Sequence, residues 1–122
     1  MIGYVTLGTN DLPRAMKFYD DLLGPMGAKR VMDLGRGYAW SAGPGQPLLC
    51  VMTPWDKQAA SPGNGPMTAL VCKSKEQVDE CYQRAISLGA TDEGPAGPRG
   101  EGFYAGYWRD LDGNKLCFFI MG

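Results

Sequence analysis

Tyr4-Val5-Thr6-Leu7-Gly8-Thr9-Asn10-Asp11-Leu12-Pro13-Arg14-Ala15-Met16-Lys17-Phe18-Tyr19 is the stretch whose reading decides the fold. Its first six residues alternate in the manner of a strand. Asn10 and Asp11 are good helix N-caps, and Pro13 falls where a first helical turn tolerates a missing N–H. Leu12, Ala15, Met16, Tyr19, Leu22 and Leu23 then recur at three- and four-residue spacing, so an amphipathic helix is expected, ended by Gly24-Pro25. Three short strands follow near Ala28 to Asp33, Gly37 to Ser41 and Pro47 to Thr53, separated by Gly35-Arg36-Gly37 and Gly43-Pro44-Gly45.

The same order returns after a polar, Gly- and Pro-bearing connection from Pro54 to Pro66. Met67 to Cys72 reads as a strand, and Ser74-Lys75-Glu76-Gln77 as a capping box. Val78, Cys81, Tyr82, Ala85 and Leu88 form a helical stripe that Gly89 closes. Strands near Ala90 to Glu93, Phe103 to Arg109 and Lys115 to Met121 complete the second half, the last two joined by a turn at Asp112-Gly113-Asn114. Gly94 to Gly102 lacks the Gly-Lys-Ser/Thr ending and the following helix of a phosphate-cradling loop, so a mobile hairpin connection is expected there, with Arg99 and Glu101 able to close over a ligand. The length of 122 residues fits one domain spanning 1–122, built of a module at about 1–56 and another at about 66–122.

Composition narrows the function classes. Net charge is −1, and lysines and arginines are scattered, so no nucleic-acid partner is expected. No apolar run approaches the roughly 20 residues that span a bilayer, so no membrane partner is expected. The N-terminus lacks a basic region followed by an apolar stretch, so no signal peptide is expected and the reading is cytoplasmic. Cys50, Cys72, Cys81 and Cys117 are not spaced as a zinc knuckle or a redox pair, and read as reduced, buried, small apolar groups. The chain contains no histidine, which excludes a Ser-His-Asp or Cys–His nucleophile. Asp11, Asp20 and Asp21 on the first helix read as capping and solvating groups.

The opening Gly3 to Leu12, with Ala15 and Phe18-Tyr19, resembles the vicinal oxygen chelate superfamily of glyoxalase, bleomycin-resistance and dioxygenase type proteins. Asp110-Leu111-Asp112-Gly113-Asn114-Lys115-Leu116 resembles its other signature, the turn into the last strand. The resemblance implies an α+β fold: two tandem βαβββ modules forming a curved mixed sheet with a concave cup, helices on the outer face. On that fold Val5 and Leu7 face the helices and Tyr4, Thr6 and Gly8 the cup. On the last strand Leu116, Phe118 and Ile120 face the helices, while Cys117, Phe119 and Met121 face the cup.

Metal-dependent members hold a divalent ion with four cup residues, commonly His and Glu. The resemblance puts Tyr4, Cys50, Met67 and Cys117 at those positions. A hard divalent ion wants carboxylate oxygens and imidazole nitrogens, which none of the four supplies. A soft ion such as Cu(I), or Zn²⁺ on two thiolates, remains open beside the favoured reading of polarisable pocket lining. Either Phe103, Ala105 and Tyr107 look inward, or Tyr104, Gly106 and Trp108 do, with core or dimer-interface packing of these aromatics as the equal alternative to ligand contact. Relatives use the position of Tyr107, which favours the first set. Trp40 is a further candidate liner, with packing under the first helix as the equal alternative, and Trp55 sits near the rim. The implied ligand-binding set is Tyr4, Trp40, Cys50, Met67, Phe103, Tyr107 and Cys117, with no cofactor and no metal. The expected function is binding of a small organic ligand by a homodimer. The alternative is a glyoxalase- or lyase-type enzyme with an atypical metal, or with acid–base chemistry from Tyr4, Tyr107 or Cys117.

Overall fold

The computed structural model describes residues 1–122, which form two compact units, Met1–Pro62 and Gly63–Gly122. In the first unit the order is β1 (Tyr4–Gly8), α1 (Leu12–Leu23), a short 3₁₀ turn (Gly24–Met26), β2 (Lys29–Asp33), β3 (Gly37–Ser41) and β4 (Leu48–Met52). In the second it is β5 (Thr68–Val71), α2 (Lys75–Ser87), β6 (Thr91–Pro98), β7 (Phe103–Arg109) and β8 (Lys115–Met121). Each unit is therefore a βαβββ module, as the repeat in the sequence implies.

Each module folds into a four-stranded mixed sheet with the same connectivity, β1-β4-β3-β2 in the first and β5-β8-β7-β6 in the second. The strand before the helix pairs in parallel with the last strand of its module, and the other pairings are antiparallel. A parallel pair needs a crossover, which the helix supplies; the antiparallel strands need only hairpins.

Helix α1 starts at Asp11, whose side chain accepts from the Arg14 N–H at 3.2 Å. Asn10 takes a different role. It bonds the Ala60 backbone in both directions, at 3.0 and 2.7 Å, and so fastens the segment after β4. The buried stripe of α1 is Ala15, Phe18, Tyr19, Leu22 and Leu23. Phe18 replaces the half-buried Leu12 and Met16 of the expected stripe. Asp21 pairs with Lys17 at 2.9 Å on the solvent side, and Asp20 accepts from Arg30 Nε at 3.0 Å. Asp11 caps and Asp21 solvates the helix, as the sequence reading holds, whereas Asp20 ties the helix to β2.

Helix α2 is capped by Ser74, which accepts from the Gln77 N–H at 3.0 Å. The Gln77 side chain accepts from the Lys73 N–H at 2.7 Å, one residue earlier than in a standard capping box. Val78, Cys81, Tyr82 and Ala85 are its buried face. The four cysteines are free and buried.

Asp110 organises the turn into β8. It is buried, and its Oδ1 accepts from the N–H groups of Asp112 and Asn114, each at 2.9 Å, while Oδ2 accepts from Asn114 Nδ2 at 3.0 Å. Gly113 then takes the left-handed conformation, φ 86°, that the turn requires. The signature in the sequence is thus a self-bonded turn.

The reading fails at β6. Expected to stop near Glu93, it runs to Pro98, through register shifts between Asp92 and Gly94 and between Gly94 and Gly97. Pro95 and Pro98 suggest a loop, yet an edge strand with bulges accommodates both.

Close approach of α2 to its sheet depends on Gly106. A Cβ there would lie 2.9 Å from Tyr82 Cδ1 and 3.2 Å from the Ala96 backbone. We expect Gly106→Ala to lower the unfolding free energy by about 1–3 kcal/mol, the usual range for overpacking, in a urea titration. Unchanged stability would show that α2 yields at no cost.

Candidate functional site

In a sheet, residues paired across strands share a face, so the registers assign every strand side chain to one side or the other. In the second module, Tyr82 of α2 lies against Gly106, and the Tyr104 hydroxyl donates to Asp79 of α2 at 2.7 Å. Gly106 pairs with Phe118, Tyr104 with Ile120, and Trp108 with Leu116. These six define the helix side, where the Trp108 ring stacks on Phe118 at 5.4 Å.

The opposite side carries the other alternation. Tyr107 pairs with Cys117, Ala105 with Phe119 and Phe103 with Met121, while Ala69 and Val71 of β5 pair with Cys117 and Phe119. Phe103 stacks on Phe119 with centroids 5.7 Å apart and 18° between planes. Met67, two residues before Ala69, continues this alternation at the start of β5. Phe103, Tyr107 and Cys117 therefore share the face away from α2, the parity expected for both β7 and β8.

In the first module Tyr4 pairs with Leu48, Thr6 with Cys50, and Ala39 with Cys50. This places Tyr4 and Cys50 on one face. Trp40 pairs with Leu49 and lies on the other. Its Nε1 donates to Asp20 of α1 at 3.0 Å, and its ring sits 5.7 Å from Tyr19. Trp40 is only 1% exposed, so the expectation that it lines the ligand face is corrected: it is packing beneath the first helix. An indole N–H buried without water needs an acceptor, and Asp20 provides one there. Trp55 is exposed, with Arg36 over its ring at 5.3 Å.

The four positions that the resemblance assigns to metal ligands behave alike in the two modules. Those at the first strands, Tyr4 and Met67, are exposed; those on the last strands, Cys50 and Cys117, are buried. Burial raises the Cys50 thiol pKa. It pushes Cys117 up to about 11, against a weaker lowering by Lys115. Both sulfurs are thus neutral thiols at pH 7, and the thiolate is the form that ligates metal. Within each module, then, a neutral thiol stands with a phenol or with a thioether, and neither pair fits a hard divalent ion. In neither module do three His, Cys, Asp or Glu side chains gather as a metal-holding group.

Cys81 differs from the other thiols. A hydrogen bond from Cys72 and the nearby Arg84, with Nη1 4.0 Å from its sulfur, lower its pKa to about 7. The same bond raises Cys72.

Two residues on the face away from α2 lie outside the expected ligand set: Phe119, which the expected parity of β8 already puts on this face, and Lys115, which the sequence reading does not put there. Phe119 forms the aromatic floor with Phe103, and Lys115 lies two residues before Cys117 on β8, its Nζ 5.6 Å from the Tyr107 ring centroid. Two-residue alternation from Cys117 finds both.

The family model described as Glyoxalase/Bleomycin resistance protein/Dioxygenase superfamily matches residues 1–118. Among solved structures, a glyoxalase/bleomycin resistance protein from Albidiferax ferrireducens is 35% identical, with 98% of this chain and 97% of that one covered and a TM-score of 0.89. A lactoylglutathione lyase from Agrobacterium tumefaciens is 24% identical over 98% of this chain and 92% of its own, with a TM-score of 0.72. A glyoxalase/bleomycin resistance protein/dioxygenase family enzyme from Burkholderia phytofirmans is 16% identical over 98% of both chains, with a TM-score of 0.79. These last two show the fold alone. A search of curated proteins finds no match.

The state of Cys117 has a measurable consequence. Its pKa is about 11 in the fold against 9.0 for an ordinary thiol, so the folded state binds the proton more tightly. The resulting stabilisation is complete below the ordinary value and is lost as pH rises through the folded one. We expect the unfolding free energy to fall between pH 9.0 and about 11, and Cys117→Ala to flatten that decline. An unchanged slope in the variant would show that Cys117 ionises freely in the fold.

Proposed function

Because the chain belongs to the glyoxalase/bleomycin resistance protein/dioxygenase superfamily, we propose that it is a small-molecule-binding member without the usual His/Glu metal site. The observation that carries this reading is the chemistry of the faces turned away from the helices. On the second module, Phe103, Phe119 and Tyr107 are half-buried, Met67 is exposed, and beneath them Cys117 closes the floor. Partly exposed aromatic side chains with a rigid stacked pair offer apolar area at small entropic cost. On the first module, Tyr4 and the buried Cys50 hold the equivalent positions.

Such a surface suits an organic ligand held by contact area and a few polar groups. It does not suit catalysis that depends on a hard metal ion. Burial holds the thiols of Cys50 and Cys117 protonated, with Cys117 pushed up to about 11, away from the near-neutral pKa at which proton transfer is efficient. Binding is therefore the better supported function. No helix is long and apolar enough to cross a membrane. We propose that the protein works in the cytoplasm, as a homodimer, without nucleic acid.

Native mass spectrometry of protein purified without chelator tests the reading, with a copurified small organic molecule as the expected result. Elemental analysis is expected to return no stoichiometric divalent metal. About one metal per chain, abolished by Cys50→Ala, would overturn the metal-free reading.

For the dimer, Ile2, Val31, Met32 and Leu34 expose apolar surface on the first module. Two-fold pairing is the commonest way to cover such area. Sedimentation at twice the chain mass is expected at micromolar concentration, and a monomer mass throughout would end the idea.

A further inference from the structure

The sheet face of the second module that turns away from α2 carries two cations held against the same ring. The Arg99 guanidinium carbon is 5.4 Å from the Tyr107 centroid, and Lys115 Nζ is 5.6 Å from it. Neither cation has an acidic partner within salt-bridge distance. Arg109, on the same strand as Tyr107, is by contrast neutralised by Glu93 at 2.8 Å. Asp92 is the carboxylate whose charge Arg99 feels; hydrogen bonds from the Tyr82 hydroxyl at 2.6 Å and the Gly94 N–H at 2.8 Å keep it ionised and hold it outside salt-bridge distance of the guanidinium.

Arg99 is placed by the backbone. Its own N–H closes the β6–β7 hairpin on the Phe103 carbonyl at 2.7 Å. Its side chain then folds back along β6, with Nη1 donating to the Pro98 carbonyl at 3.2 Å and Nη2 to the Pro95 carbonyl. The strand leaves room for it. A Cβ on Gly94 would lie 3.3 Å from Nη2 and 3.2 Å from Tyr107 Cδ2, and one on Gly97 would lie 3.3 Å from Nη1. Gly94 and Gly97 pair with Tyr107 and Ala105, so they stand on the same face. The bulged, glycine-bearing β6 thus seats a guanidinium flat against the sheet with part of its donor fork already oriented. An oriented fork gives up less entropy when it meets an anion.

We propose that this face is selective for organic anions: a carboxylate, sulfonate or phosphate group seated by Arg99 and Lys115, with an apolar body on Tyr107 and the Phe103–Phe119 stack. The proposal rests on the small-molecule-binding reading above and names its ligand class. Two cations without a salt-bridge partner beside partly buried aromatic surface favour negative charge, and charge-assisted bonds there are stronger than neutral ones.

The test uses two probes with one aromatic body. 1-Anilinonaphthalene-8-sulfonate carries an anionic group, and N-phenyl-1-naphthylamine is the same skeleton without it. Fluorescence titration of the full-length protein is expected to give an affinity at least about tenfold higher for the sulfonate, the factor that one charge-assisted bond contributes. Arg99→Gln combined with Lys115→Gln is expected to collapse the ratio of the two affinities toward one. Gly97→Ala, which displaces the guanidinium while keeping its charge, is expected to lower the ratio in part. Urea midpoints confirm that the variants are folded. Equal affinity for the two probes, or a ratio untouched by the double variant, overturns the anion selectivity and leaves the small-molecule reading standing. If neither probe binds, the small-molecule reading fails and the selectivity with it.

Discussion

Each helix covers one face of its own sheet, and side chains alternate strictly along a strand, so this single contact assigns every strand residue to one side or the other. In the second module the assignment is made where the Tyr82 ring lies over Gly106, a position that admits no Cβ. From Gly106 the register passes to Phe118, and from its neighbours to Trp108, Leu116 and Tyr104. In the first module the same function falls to Trp40, lodged between Tyr19 and Asp20. A slip of one residue would exchange the two faces entirely, placing Cys117 under the helix and Leu116 outside. The candidate site is therefore a consequence of helix docking, and its residues need not touch the helix to depend on it.

The same packing sets the chemistry of the family's metal positions. Cys50 and Cys117 lie on the last strands of their modules, each paired on both sides, and the low polarity that follows holds their thiols protonated. A carboxylate at such a position would need a metal or a hydrogen-bonding partner to offset its burial. A thiol needs neither. A cysteine at each position is therefore buried without the electrostatic demand for an ion that a carboxylate would make. It leaves a floor that packs as an apolar surface.

Much of this was legible in the sequence. The strand–helix–three-strand repeat follows from periodicity and from stop signals such as Gly24-Pro25 and Gly89, and the bounds of β3, β7 and β8 match closely. The parity of β7 comes from the resemblance, which assigns ligand contact to the position of Tyr107. Trp40 was not decidable from sequence, because Tyr38 and Trp40 share one side of β3 and nothing local says which side α1 covers. The Asp20 acceptor that settles it lies 20 residues earlier in the chain. Lys115 was missed because a lysine beside a turn reads as a solvated charge, although parity with Cys117 puts it on the candidate face.

The segment from Gly94 to Pro98 shows how local signals can point away from the structure. Gly-Pro-Ala-Gly-Pro scores as loop by every composition rule, since Pro lacks the N–H a ladder needs and Gly gains entropy on unfolding. Yet β6 is an edge strand, and it needs donors on one side only. Pro95 falls inside the second register shift, between Gly94 and Gly97, and Pro98 stands at the end of the strand. The glycines that weaken the strand are those whose missing side chains make room for Arg99. Each local penalty thus coincides with a feature of the face away from α2. The carbonyl of Pro95, released from regular pairing by the bulge, accepts from the guanidinium instead. The irregularity of β6 is what converts a surface arginine into an oriented one.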